Sequence, residues 1–342
     1  MEDYGMKRKK AVALGLSILL AFSVAGCGDN GKTKDTEQAT SSYETKDMKL
    51  DTNVMAVGEA EITLNEMLFY VYQLKAAYDG SLTSKVWKFN YEGGKEVEDY
   101  AKEQMIQEIA QVKIICQQAK KEGVTLTEEE SNEAKVEAEA YVESLPESAK
   151  EFNLTKELVT QIYQEHSLAK KMYDVVAGTI DTNISDDEAK QVTIQYIHIM
   201  TSGIDRNGNE VNLTDEEKQN AKKRAVRLLE EAIDTEDFGN FAQNNSDEET
   251  TEMTFSKTTG EKEFVEQAFS LGKGELSEVI ETENGYYILY CKEPYDEAKT
   301  VEYKENVLLE REKEAFQKAY KGWKDQYKTV VSETLMDQIS FD

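Results

Sequence analysis

Few side chains in this sequence could carry covalent or metal chemistry. The chain has two histidines, His166 and His198, and three cysteines, Cys27, Cys116 and Cys291. Two histidines leave little material for a multi-histidine metal site or a histidine-dependent hydrolase. Cys116 and Cys291 lie far apart without metal-ligand spacing, so we expect two separate buried thiols, with a disulfide as the alternative. We therefore expect no metal and no cofactor.

The first residues predict export. Residues 7–10 are basic, residues 11–25 form an apolar run, and residues 24–27 end that run with small residues and a cysteine. This is the layout of a secretory signal, which we place at residues 1–26. The run is too short to span a bilayer, because crossing the hydrocarbon core takes ~20 apolar residues.

The end of this signal, Val-Ala-Gly-Cys, resembles the lipobox of bacterial lipoproteins. The resemblance implies that Cys27 is acylated and anchors the protein to the outer face of the cell membrane. Two acyl chains would hold it firmly, since each buried CH₂ adds ~0.8 kcal/mol. The polar residues that follow Cys27, up to residue 52, read as a disordered tether. An incidental cysteine behind an ordinary cleavage site is the alternative, and either Met1 or Met6 is the true start.

The charge balance limits the partners. The chain carries a formal net charge of −28. Nucleic acid is therefore not expected as a partner, because its phosphates would be repelled. A surface of this sign favours solubility and basic or unfolded polypeptide clients.

Helical start signals recur over residues 53–190, which we predict to form a helical domain. The signal is the capping box, in which a hydroxyl and a carboxylate three residues later satisfy N–H groups of the first turn. The pairs that fit it are Thr63 with Glu66, Thr127 with Glu130, and Ser185 with Glu188. Apolar stripes at helical spacing follow them. His166 is expected at the boundary of one of these helices.

Residues 191–297 follow a different pattern. Residues 193–200 alternate as a strand, and residues 276–282 and 286–292 read as two strands joined through Glu283-Asn284-Gly285. Thr214 opens a helix, and a short helix is expected around residues 264–269. The predicted buried face of the first helix comprises Ala221, Ala225, Leu228, Leu229 and Ile233. A sheet flanked by helices follows.

The C-terminal segment, residues 298–342, returns to helical periodicity. Its aromatic stripe comprises Phe316, Tyr320, Trp323, Tyr327 and Val330. We expect this stripe to pack on the N-terminal helices rather than to bind a ligand. The predicted fold class is α+β, with one helical body made from both ends of the chain and an inserted sheet domain.

Several short motifs in the sheet region occur in a recognisable order. They lie at residues 196–200, 237–242, 246–248, 264–271, 274–277 and 282–288. With them, residues 195–292 resemble the parvulin family of peptidyl-prolyl isomerases, and the whole chain resembles the foldase lipoproteins of the PrsA type. Residues 57–63 resemble the opening of a SurA-like helical chaperone domain. The resemblance implies a parvulin-like domain with a four-stranded antiparallel sheet at residues 191–297, set in a helical chaperone body.

The resemblance also implies site residues. Those carried over as catalytic are His198, Glu248, Thr282 and Tyr287, and those carried over as substrate-binding are Phe255, Phe264 and Phe269. Asp247 is the alternative to Glu248. Core packing is an equal reading for Phe264, and it is favoured for Phe269. A structural role is at least an equal reading for His198.

Three departures from the family pattern predict weak activity or none. Gly260 stands where the family has a methionine, which removes apolar surface from the proline pocket. Tyr287 stands where a second histidine is expected. Residues 251–254 replace a glycine-rich stretch. A pocket with fewer apolar atoms holds proline less well, at ~25 cal/mol per Å² of buried surface.

Three functions are compatible with these observations. The first is an extracytoplasmic foldase with weak isomerase activity, whose partners are unfolded or partly folded exported polypeptides. The second is a non-catalytic holdase chaperone with a degenerate parvulin domain. The third is a solute-binding lipoprotein of a transporter, which would require a two-lobed fold with several βαβ units.

Overall fold

The computed structural model describes residues 49–79, 84–90, 94–204 and 210–341. The predicted signal, Cys27 and most of the tether lie outside these residues. The chain divides into two compact units, one made of residues up to 180 and from 311 onward, the other of residues 181–310. We call their described parts the helical unit and the sheet unit. The predicted domain boundaries at 190/191 and 297/298 stay predictions.

The helices are numbered in chain order. They are α1 (Leu64–Asp79), α2 (Val97–Glu122), α3 (Glu128–Ser144), α4 (Lys156–Ala177), α5 (Asp186–Ala189), α6 (Asp215–Ile233), α7 (Phe238–Asn245), α8 (Lys262–Ser270), α9 (Glu297–Lys324) and α10 (Glu333–Met336). Short 3-10 helices occupy Ser84–Lys88 and Glu147–Phe152.

The strands are likewise numbered in chain order. They are β1 (Asn53–Val57), β2 (Ala60–Thr63), β3 (Val192–Met200), β4 (Ser202–Ile204), β5 (Glu210–Asn212), β6 (Glu252–Phe255), β7 (Ile280–Glu281), β8 (Gly285–Glu293) and β9 (Thr329–Val331). They form sheets in the orders β2-β1-β9, β6-β3-β8-β7 and β4-β5. Every strand pair within the described residues is antiparallel, so the βαβ units of a solute-binding lipoprotein are not found there.

The two ends of the chain share the core of the helical unit. Phe316 and Trp323 on α9 are buried in the same cluster as residues of α1, α2 and α4, and Phe341 packs on Trp87 at a ring distance of 4.8 Å. Tyr320 and Tyr327 pack partly against this cluster. β9 pairs with β1. The expectation that the aromatic stripe packs on the N-terminal helices is confirmed for these residues.

A buried polar cluster lies inside the helical unit. Lys113 Nζ is 2.8 Å from Glu66 Oε1 and 2.7 Å from Glu165 Oε2, and the Lys113 side chain is 4% exposed. Beside it the Tyr70 hydroxyl lies 3.1 Å from His166 Nε2. Burial, together with the positive charge of Lys113, lowers the pKa of His166 to about 4. We call these five residues the Lys113 cluster. The His166 imidazole is neutral at pH 7 and shares a hydrogen bond with the Tyr70 hydroxyl.

Helices cover both faces of the sheet in the sheet unit. Side chains alternate along its strands, so each strand contributes residues to both of these interfaces. On one face β3 presents Ile194 and Tyr196 to a cluster that includes Phe264 of α8. On the other face β3 presents Ile197 and Ile199 to residues of α6 and α7. The predicted α+β class is confirmed.

Some local predictions are wrong. Ile233 is 67% exposed, since α6 turns Ala232 into the core instead. Val330 is 51% exposed because α9 ends at Lys324 and residue 330 lies in β9. His166 lies inside α4 and is buried, not at the boundary of the helix. The predicted strand at residues 276–282 is reduced to the two residues of β7 and one isolated bridge at Leu276.

The capping boxes differ in completeness. Thr127 with Glu130 and Thr214 with Glu217 form both hydrogen bonds of the motif. At the start of α1, the Thr63 hydroxyl accepts from the Glu66 amide. The Glu66 carboxylate, however, pairs with Lys113 instead of returning to Thr63. A buried lysine therefore competes successfully for a carboxylate that the sequence assigns to a cap.

The two cysteines that fall within the described residues are free thiols. Cys291 is buried in β8 and Cys116 is half-buried in α2. Burial raises the pKa of Cys116 to about 12, so that thiol stays protonated and unreactive at neutral pH. Among the described helices, none combines the length and the apolar character needed to cross a bilayer.

Candidate functional site

The register of the two central strands brings the first site residues together. β3 and β8 are antiparallel, and His198 is paired with Tyr287. Their rings stack in parallel with centroids 4.0 Å apart. The predicted histidine and the tyrosine that replaces the second family histidine are therefore direct neighbours. The His198 side chain is 4% exposed.

A carboxylate completes the polar side of the site. His198 Nδ1 lies 2.8 Å from Glu248 Oε1, and His198 Nε2 lies 3.3 Å from the Asn284 carbonyl oxygen. A carbonyl can only accept, so Nε2 carries hydrogen in this arrangement. Nδ1 and the carboxylate then share a proton, as an imidazolium–carboxylate pair or a neutral pair. The Glu248 side chain is 34% exposed, so this proton lies close to solvent.

The loop after α7 places Glu248 and not Asp247 beside the histidine. The Ser246 hydroxyl accepts hydrogen bonds from the backbone amides of His198 and Glu248. Asp247 points elsewhere, since its carboxylate is 2.7 Å from Arg224 and accepts from the Met200 amide. Of the two acids left open by the sequence, the structure brings Glu248 to His198.

The hairpin between β7 and β8 delivers the Asn284 carbonyl. Thr282 Oγ1 accepts from the Asn284 amide and donates to the Gly285 carbonyl at 3.4 Å. Gly285 has a φ of +150°, and a Cβ there would lie 2.2 Å from the Ile199 oxygen. Only glycine fits this crossing of strands. Thr282 thus shapes the turn, and its hydrogen bonds reach His198 only through Asn284.

Aromatic rings form the apolar side of the site. Phe264 on α8 meets Tyr287 edge-on with centroids 5.0 Å apart, and it lies 5.5 Å from Phe255. Tyr196 stands almost perpendicular to Phe264. Such edge-to-face contacts are favourable for aromatic pairs. Phe264 is 7% exposed, so little of its surface is open to a proline ring.

Phe269 lies apart from this group. It is half-buried, it contacts Phe255 at 5.9 Å, and the ammonium groups of Lys190 and Lys257 lie 5.5 and 5.8 Å from its ring centre. Together with Gly260 it lines an open cavity of about 520 Å³. No contact within the described residues joins Phe269 to His198. Its position fits a packing role at least as well as substrate contact.

The phenols of the site keep their protons at neutral pH and can therefore donate hydrogen bonds. Burial, with Glu248 and Glu261 nearby, raises the pKa of Tyr287 to about 12. Burial and the Glu248 carboxylate raise the pKa of Tyr196 still further. The Tyr287 hydroxyl has no hydrogen-bond partner among the residues that the structure describes. The site therefore offers a neutral donor beside a proton-sharing histidine and an aromatic wall.

Sequence reasoning missed three contributors. Tyr196 donates to Glu248 Oε2 at 2.8 Å, Asn284 presents its carbonyl to His198, and Ser246 anchors the acidic loop. Period-two alternation in β3 puts Tyr196 on the same face as His198, and that signal could have found it. The other two act through turn geometry or backbone atoms, which side-chain type does not reveal.

Comparisons with known proteins agree with this geometry. Residues 198–293 match the family model of the Rotamase, PPIC-type PPIASE domain. A foldase protein PrsA from Caldanaerobacter subterraneus is 26% identical over 309 residues, covering 86% of this chain and 87% of the relative. A foldase protein PrsA from Clostridium acetobutylicum is 25% identical, covering 94% and 97%.

Solved structures are more distant. The crystal structure of a peptidylprolyl isomerase (PrsA) from Bacillus cereus is 17% identical, with a TM-score of 0.34, and the match covers 81% of this chain and 90% of that chain. The family model covers the site residues from His198 to Tyr287. Residues 198–293 are thus a PPIC-type peptidyl-prolyl isomerase domain, within a chain that is similar over most of its length to foldases of the PrsA type.

Proposed function

We propose that this protein is an extracytoplasmic foldase, which binds unfolded or partly folded exported polypeptides and accelerates Xaa-Pro isomerisation in them. The observation that carries the proposal is the group of His198, Glu248 and Tyr287 against Phe264, inside the stretch that matches the PPIC-type domain. The similarity to foldase proteins along most of the chain supports the cellular role.

The reaction explains why such a site suffices. Rotation about an Xaa-Pro bond faces a barrier of ~18–20 kcal/mol, because amide resonance must be broken. No covalent or metal step is needed. A catalyst must bind the twisted amide more tightly than the planar one, with fixed polar groups and an apolar surface for the proline ring.

The proposed roles follow from where each group lies. The Tyr287 hydroxyl, which has no hydrogen-bond partner within the described residues, can donate to an oxygen or nitrogen of the twisted amide. His198, which is buried, and Glu248, which is partly exposed, form a polar pair behind it, whose shared proton responds to the changing charge distribution of the amide. Phe264 supplies apolar surface. Thr282 acts on the turn, and Phe255 packs behind Phe264. These roles stay proposals.

A holdase without catalysis is the second candidate, and specific observations favour it. Phe264 is nearly buried, and Gly260 adds no side chain to the pocket. Client binding would then rest on surfaces other than the proline pocket. We therefore expect weak catalysis at most.

The test uses the purified full-length protein in two assays. The first measures the rate of cis–trans exchange in an Xaa-Pro peptide. The second measures aggregation of an unfolded exported protein. Phe264→Leu is compared with Phe238→Leu, which alters a buried phenylalanine on the opposite face of the same sheet. We expect the catalysed exchange rate to fall about tenfold in Phe264→Leu and to stay unchanged in Phe238→Leu. A lost apolar contact of ~1.4 kcal/mol would cause a fall of this size.

The outcomes separate the candidates. Catalysis that is equal in both variants means that the site is misplaced. Slower aggregation without any catalysis at high protein concentration supports the holdase. If the protein shows neither activity, the foldase proposal is overturned as a whole.

We also infer that Cys27 anchors the protein outside the cell membrane. The support is the signal pattern at residues 1–27 and the similarity to foldase proteins. Cys27→Ala should release the protein from the membrane fraction into the medium. Continued membrane attachment of that variant in cells would contradict acylation at this position.

A further inference from the structure

Tyr196 touches both halves of the candidate site. It lies in β3 two residues before His198, so the two side chains are on the same face. Its ring packs against Phe264 at 6.4 Å and 84°, and against Tyr287 at 6.0 Å. The residue is 2% exposed. Its ring belongs to the apolar half of the site, and its hydroxyl reaches the polar half.

The hydroxyl of Tyr196 is the second side-chain anchor of Glu248. It donates to Glu248 Oε2 at 2.8 Å, while Oε1 of the same carboxylate lies 2.8 Å from His198 Nδ1. Within the described residues Glu248 has no ion pair with lysine or arginine. Each carboxylate oxygen therefore has one specific side-chain partner, and the plane of the carboxylate is fixed relative to the imidazole.

A tyrosine whose hydroxyl made no hydrogen bond would be less favourable than phenylalanine at this buried position. Burying a hydroxyl costs free energy unless it is hydrogen-bonded, and phenylalanine would fill the same space without that cost. The ring alone accounts for the packing on Phe264. The hydroxyl is thus the part of the side chain that calls for an explanation beyond packing.

We propose that Tyr196 is a positioning residue of the isomerase site, which holds the Glu248 carboxylate against His198 through its hydroxyl. Its effect on catalysis rests on the proposed function. Its effect on His198 does not. The groups that face His198 are Glu248 from the loop after α7, Tyr287 from β8 and the Asn284 carbonyl; Glu261, at the start of α8, faces Tyr287.

The experiment compares Tyr196→Phe with Tyr286→Phe in the full-length protein. Tyr286 is buried in the same sheet but on the opposite face, so it is a matched control. Two readouts are used: kcat and KM on an Xaa-Pro peptide, and the NMR chemical shifts of the His198 ring nitrogens at fixed pH. The chain has two histidines, and His166 in the other unit serves as an internal reference.

Tyr196→Phe should lower kcat about tenfold and leave KM within about twofold, because a hydrogen bond to a charged group is lost while the ring stays on Phe264. The NMR chemical shift of His198 Nδ1 should move, since the carboxylate that contacts it loses its second anchor. The His166 signal should stay unchanged. Tyr286→Phe should alter none of these quantities.

Glu248→Gln provides the second variant. It should also move the His198 Nδ1 signal, and adding Tyr196→Phe to it should cause little further change, because both act through one interaction. An unmoved His198 signal in Tyr196→Phe overturns the inference, whatever the activity. A moved signal with unchanged kcat overturns the role in catalysis. A wild-type protein without isomerase activity overturns the proposed function, and the NMR signal then decides alone whether Tyr196 holds Glu248.

Discussion

Each unit of this protein buries one histidine near a tyrosine and a glutamate, yet the two settings differ. In the helical unit His166 is hydrogen-bonded to Tyr70, and the nearby carboxylates pair with Lys113. In the sheet unit His198 faces Glu248, which has no ion pair with lysine or arginine in the described residues and is 34% exposed.

The same residue types therefore serve two purposes. A carboxylate that is neutralised by a buried lysine is fixed in place. Removing the lysine lowers the free energy of unfolding. A carboxylate that shares its proton with a histidine close to solvent can respond to a bound molecule. We therefore expect changes in the Lys113 cluster to affect unfolding, and changes around His198 to affect activity.

The largest expected effect is in the Lys113 cluster. Lys113→Met leaves the buried carboxylate of Glu66 and the partly exposed carboxylate of Glu165 without their cation. Removing one partner of a buried ion pair costs about 3–5 kcal/mol of unfolding free energy. Denaturant unfolding followed by tryptophan fluorescence measures it, because Trp87 and Trp323, the only tryptophans of the chain, are both buried in the helical unit.

Lys120→Met is the control for this change. Lys120 lies on the same helix and is exposed, so its loss should alter the unfolding free energy by only about 0.5 kcal/mol. If the two variants lose equal unfolding free energy, the Lys113 cluster does not stabilise the helical unit as expected.

The next effect depends on pH. The pKa of His166 is about 4 in the folded protein, below its ordinary value of 6.5. The unfolded chain takes up a proton there first as the pH falls, so stability is present above pH 6.5 and is lost between pH 6.5 and 4. The loss is roughly 3 kcal/mol.

His166→Gln isolates this term, because glutamine cannot titrate. Tryptophan fluorescence should record a stability difference between wild type and variant that shrinks on acidification. Burial raises the pKa of Glu108 to about 7, which favours folding at low pH. That opposing trend is present in both proteins and cancels in the difference. Parallel pH profiles for the two proteins would contradict a neutral buried His166.

A smaller effect is expected at the hairpin of the sheet unit. Gly285→Ala puts a Cβ 2.2 Å from the Ile199 oxygen and 2.9 Å from His198 Nε2. We expect a loss of about 1–3 kcal/mol, the usual cost of such strain, and a fall in isomerase activity. Hydrogen exchange of amides in β3 and β8 measures the stability. Gly203→Ala is the control, because a Cβ there meets nothing within 4 Å; equal exchange in both variants would count against the steric argument.

The smallest effect tests what the two units have in common. Thr127 caps α3 in the helical unit and Thr214 caps α6 in the sheet unit, each with a complete capping box. Thr127→Ala and Thr214→Ala should each cost about 1 kcal/mol. Hydrogen exchange in the first turns of α3 and α6 measures both in one protein. A cost several times larger in one unit would mean that the units differ in local helix signals as well as in their buried clusters.

The elements that hold the candidate site were predictable because its residues occupy regular positions. The alternation of residues 193–200 predicted a strand for His198, the hairpin signal predicted a strand for Tyr287, and a short helix was expected around Phe264. That the three residues lie together was implied by the resemblance to parvulins and not by these patterns. The partners of His198 were less accessible. Asn284 acts through its carbonyl, and a backbone atom has no sequence signature. Asp247 and Glu248 are adjacent acids, and only the fold separates their directions.

The fold was predictable where local and long-range preferences agree. Thr127 with Glu130 was expected to cap a helix and does so. Glu66 had the same local signal, but a lysine far along the chain claims its carboxylate. Ile233 fits a helical stripe, yet the core accepts Ala232 at the end of α6. Pairings between distant segments decide such cases, and a single sequence does not display them.

The two edge strands of the sheet unit are short, and short edges suit a protein proposed to bind unfolded chains. β6 has four residues and β7 has two, and Glu252 on β6 forms an ion pair with Lys292. Open strand edges invite other chains to add strands, and short charged edges resist this. We therefore expect the sheet to contact unfolded polypeptides without pairing with their strands and aggregating.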